Sequence, residues 1–72
     1  MTIELTVEEK TSVINSHLKN AAFSLYNFEL SLLEENSKTS PNQDIIKNIN
    51  SQIEQSKAQV AVLEAELASF NG

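Results

Sequence analysis

The chain has 72 residues, no cysteine, one histidine, and a formal charge of -5 from ten acidic residues against five lysines and no arginine. That length limits it to one small domain of marginal stability, without disulfides and with too few ligands for a structural metal, so a partner chain is the remaining support. Lacking arginine's planar fork, which commonly reads phosphates and guanines, it is not expected to bind nucleic acid directly.

The opening Met1-Thr2-Ile3-Glu4-Leu5 has no basic region followed by an apolar run, and no stretch approaches the ~20 apolar residues of a membrane span. The expectation is a soluble, cytoplasmic protein without an export signal. The five lysines, Lys10, Lys19, Lys38, Lys47 and Lys57, are too dispersed for a membrane-surface helix. The modest acidic excess is read as serving solubility.

Thr6-Val7-Glu8-Glu9 is a helix-start signal, with Thr6 capping a backbone N–H, Glu9 reaching back to the cap, and both glutamates suited to the positive end of the helix dipole. Apolar residues then recur in steps of three and four: Val7, Ile14, Leu18, Ala21, Leu25, Phe28 and Leu32, with Thr11 as a polar gap. This stripe predicts a helix over about residues 7–36. The polar run Glu34 to Ser40 ends it, leaving a loop at about 37–40.

Ser40-Pro41-Asn42-Gln43 reads as a second start, with Ser40 as cap, proline at the first helical position and glutamine completing a capping box. The stripe Ile46, Ile49, Ile53, Ser56, Val60, Leu63, Leu67 and Phe70 extends this helix over about 41–70, and Asn71-Gly72 supplies a stop. The fold expected is all-α, a coiled-coil-like antiparallel hairpin of two helices in a single domain. Folding it at residues 38–40 sets Leu32 near Ile46 or Ile49, Leu18 near Val60 or Leu63, and the first turn near Phe70. Ala21 and Ser56 meet at a narrow waist, read as close backbone packing.

Apolar residues outside the two stripes carry the functional reading. Phe23, Tyr26, Leu30 and Leu33 step by three, four and three on a face of helix 1 turned away from the seam. Ala58, Ala61, Val62, Ala65 and Ala68 form a band of small residues on helix 2, read as lying beside the seam. A clustered aromatic and leucine row marks an interface. The expected assembly is a homodimeric four-helix bundle in which each bulky row meets the other chain's small band; the alternative gives the row, or the acidic face, to a foreign protein.

No catalytic, cofactor or metal constellation is present. His17 has Asn20 and Ala21 at the spacings where a second ligand belongs. Glu8-Glu9, Glu34-Glu35 and Glu64/Glu66 are read as solvated carboxylates, and the serines lack a histidine base with its own carboxylate. A non-enzymatic interaction or structural module is therefore expected. Chorismate mutases of the all-helical type are similar in architecture alone, since they hold their substrate with arginines absent here.

Ile3-Glu4-Leu5-Thr6-Val7-Glu8-Glu9 resembles the start of the small dimeric helix-loop-helix adaptors that target cyanobacterial antenna proteins, the phycobilisomes, for degradation. The likeness covers seven residues; the second helix is longer here and the arginine- and tyrosine-rich tail is absent, so no functional residue carries over. The whole chain, beginning at a helix cap and rich in Asn, Ser and Lys, is similar in style to small helical accessory proteins of tailed phages, including those of marine cyanobacteria. That similarity implies a host-directed accessory protein or a minor virion component, in host cytoplasm or virion.

Overall fold

The computed structural model describes residues 3–70. Two helices, α1 (Val7–Asn36) and α2 (Gln43–Ser69), pack against each other as an antiparallel hairpin. The molecule measures 59 × 23 × 16 Å, and its radius of gyration is 16.9 Å. A compact chain of this length has about 11 Å. The hairpin is therefore a thin rod, two helices wide and one deep.

α1 begins as its sequence predicts. Thr6 Oγ1 accepts the Glu9 backbone N–H at 3.1 Å, and Glu9 Oε1 accepts the Thr6 N–H at 2.8 Å, closing a reciprocal capping box. Those bonds hold the Glu9 carboxyl below its ordinary pKa, with the Thr6 backbone N–H as the largest cause. At the other end the Ser37 N–H donates to Leu33 O at 3.0 Å, and Ser37 Oγ donates to Glu34 O at 2.7 Å. These bonds satisfy carbonyls that the last turn leaves free.

α2 starts two residues later than expected, which corrects the sequence reading. Asn42, not Ser40, is the N-cap, because its side-chain oxygen accepts from both Asp44 N–H (2.9 Å) and Ile45 N–H (3.2 Å). Pro41 therefore precedes the cap instead of opening the helix, and the loop lengthens to residues 37–42. Pro41 and Ile46, both half-buried, occupy the two positions of a hydrophobic staple. The Asn71-Gly72 stop lies outside the described residues.

The seam contains the two predicted stripes. Ile14 and Ile53 are its buried apolar side chains; Leu18, Leu25, Phe28, Leu32, Ile46, Ile49, Val60, Leu63, Leu67 and Phe70 are half-buried. At the waist Ser56 is buried and Ala21 half-buried, and among the described residues no buried side-chain nitrogen or oxygen lacks a partner. Val7 departs from the expectation and is exposed. Phe70 borders Lys10, Val13 and Ile14, one to two turns beyond Val7, so the first turn of α1 is left without apolar cover from it.

Candidate interaction surface

One partner per helix can cover only one stripe, so the chain's remaining apolar side chains lie in solvent. Phe23 is 61% exposed, Tyr26 60%, Leu30 39% and Leu33 66%. The α-helical repeat sets these four roughly 100–180° round α1 from buried Ile14. They form one continuous row on the outward side of α1, over its loop-proximal half.

The small band is exposed as well: Ala58, Ala61, Val62, Ala65 and Ala68 all face solvent. Ala58 and Val62 border a shallow concavity with His17, Gln59 and Leu63, which places them at the seam's edge. The same repeat puts Ala58, Val62 and Ala65 roughly 120–180° round α2 from Ile53. Ala61 and Ala68 lie closer in, roughly 60–80° round, so the band runs from beside the seam to the outward side of α2.

Three shallow concavities open along one flank of the seam: one around Phe28, Ile45 and Ile49, a second at His17 and Leu63, a third at Val13 and Phe70. His17 is exposed at the rim of the second. Among the described residues no group of three His, Cys, Asp or Glu side chains is gathered as metal ligands. No helix among them is long and apolar enough to cross a membrane.

Glu35 overturns the expectation that the paired carboxylates are all solvated. Glu8, Glu9, Glu34, Glu64 and Glu66 are exposed, but Glu35 retains only 5% of its surface. Its Oε2 accepts the Asn42 backbone N–H at 2.9 Å and its Oε1 accepts from Lys38 Nζ at 2.9 Å, the one ion pair among the described residues. One carboxylate thereby ties the end of α1 to the loop and to the cap of α2. Asn42 N–H, then Lys38, hold its pKa below the ordinary 4.5, against the opposing effect of burial. A general acid at neutral pH requires the opposite shift. The signal for this clip was in the spacing: 25, 28, 32 and 35 continue the seam in steps of three, four and three.

These features define a class by architecture, a helical hairpin carrying a second, solvent-facing apolar row. No protein-family model matches the chain, and no curated protein or solved structure matches it.

Proposed function

We propose that the protein is a non-enzymatic interaction module that assembles through the outward row of α1. The exposure of Phe23, Tyr26, Leu30 and Leu33, with only Ile14 and Ile53 as buried apolar side chains among the described residues, carries this reading. A 72-residue chain burying so little is short of stabilising apolar area, and covering a second row supplies what the seam lacks.

Surface area supports the same reading. The hairpin exposes 5725 Å², while a compact monomer of its 8.0 kDa exposes about 4450 Å². The excess is larger than the ~800 Å² that each partner contributes to a standard interface.

Absolute mass by light scattering over a concentration series tests the proposal. A self-assembling module shows multiples of 8.0 kDa that dissociate on dilution. A strictly monomeric, well-folded protein overturns self-assembly and leaves the row as a docking face for a foreign protein, the adaptor or inhibitor reading.

A further inference from the structure

The row has an internal symmetry that determines how a second copy fits. We propose that two hairpins associate through α1 alone, antiparallel, about a two-fold axis passing at the level of Phe28. This inference rests on self-assembly through the row and specifies its partner surface and direction.

The spacing of Phe23, Tyr26, Leu30 and Leu33 is three, four, three, the a–d–a–d rhythm of two heptads. That spacing reads the same in both directions. A two-fold axis perpendicular to α1 at residue 28 therefore sets Phe23 level with the partner copy's Leu33, and Tyr26 level with its Leu30. Each contact level then pairs an aromatic ring with a leucine, and all four residues are exposed in the single hairpin. A parallel pairing instead sets aromatic on aromatic and leucine on leucine, leaving uneven gaps along the row.

Charge selects the same direction. Lys19 lies four residues before the row on the same face, and Glu34 lies just after it; both are exposed and neither has an ion pair among the described residues. In the antiparallel arrangement each Lys19 sits about one turn, roughly 5 Å along the axis, from the other copy's Glu34. Two such pairs close the two ends of the row. Parallel helices would place Lys19 against Lys19 at the end of the row, a repulsive contact.

Pairing row with row about a two-fold axis is isologous and stops at two chains. The band remains free in the dimer proposed here.

Charge reversal tests the arrangement on the intact chain. Lys19→Glu alone and Glu34→Lys alone should each raise the dimer dissociation constant by roughly tenfold, and the double reversal should restore it to within about twofold of the starting protein. Circular dichroism confirms that each variant remains helical. Because the chain lacks cysteine, Ser12→Cys accepts a single spin label, and the antiparallel two-fold sets the two labels on the order of 48 Å apart along the axis. A label separation below about 20 Å, or association without rescue by the double reversal, overturns the direction while leaving self-assembly standing. Mass that grows past two chains overturns the isologous contact. A monomer at all concentrations removes self-assembly itself.

Discussion

The two sides of α1 carry similar side chains and differ in what covers them. On the inner side Ile14, Leu18, Leu25, Phe28 and Leu32 are buried or half-buried against α2; on the outer side Phe23, Tyr26, Leu30 and Leu33 meet water. Apolar content alone does not separate a core from an interface. The second helix makes the difference, because a hairpin can cover one stripe of each helix and no more. The inner side should therefore govern whether the chain folds, and the outer side whether folded chains meet.

The largest effect expected is on the inner side. Ile53→Ala removes a buried branched side chain from the centre of the seam and should destabilise the hairpin by about 2–4 kcal/mol. In a domain this small that is a large part of the total stability. Thermal melting followed by circular dichroism should show a low, broad transition or none, at every protein concentration. A variant that melts like the parent would remove Ile53 from the core.

On the outer side, Tyr26→Glu places a charge in the middle of the row and should weaken association by about 2 kcal/mol, roughly thirtyfold in dissociation constant. Its diagnostic is concentration. The parent's melting temperature should rise with protein concentration because assembly stabilises the folded chain, and the variant's should not. If Tyr26→Glu remains associated and fully stable, the row is not the contact surface.

Both sides of α1 were legible because each obeys a helical period, and a period is local information. Ile14, Leu25 and Phe28 announce the seam, and Phe23 and Leu30 announce themselves as surplus by falling nearly opposite it. Glu35 was misread because its residue type argued for solvent while its position, three residues past Leu32, argued for the seam. The structure reconciles the two by giving the carboxylate two hydrogen-bond partners, one of them seven residues away across the loop. The cap of α2 was misplaced for a related reason. Ser40 and Asn42 both satisfy cap chemistry, and Asn42 has in addition its N–H held by Glu35, a contact visible only once the chain has turned.

That choice can be tested at the loop. Asn42→Ala should lower stability by about 1 kcal/mol, since its side chain serves two free N–H groups of the first turn. Ser40→Ala, outside the cap, should change stability by less than about 0.5 kcal/mol. Equal losses in the two variants would restore Ser40 as a cap. Both are best compared in the Tyr26→Glu background, where association does not mask differences in the hairpin itself.

The smallest effect expected is the acid response of the clip. Glu35 binds protons less readily when folded than in the unfolded chain, where its pKa is the ordinary 4.5. Lowering the pH therefore favours the unfolded state through this group. Its stabilising contribution is complete above the ordinary carboxylate range and is lost as pH falls through the lowered folded value. Glu9, whose carboxyl is held down by Thr6, responds in the same sense and remains in both proteins of the comparison. Glu35→Gln keeps an acceptor for the Asn42 N–H but gives up the charge near Lys38 and the positive end of α2. At neutral pH the parent should melt above Glu35→Gln; as pH falls the two curves should converge, because a protonated Glu35 and a glutamine are electrically alike. Parallel pH curves would mean that the clip holds by shape, and that the charge on Glu35 adds nothing to the turn.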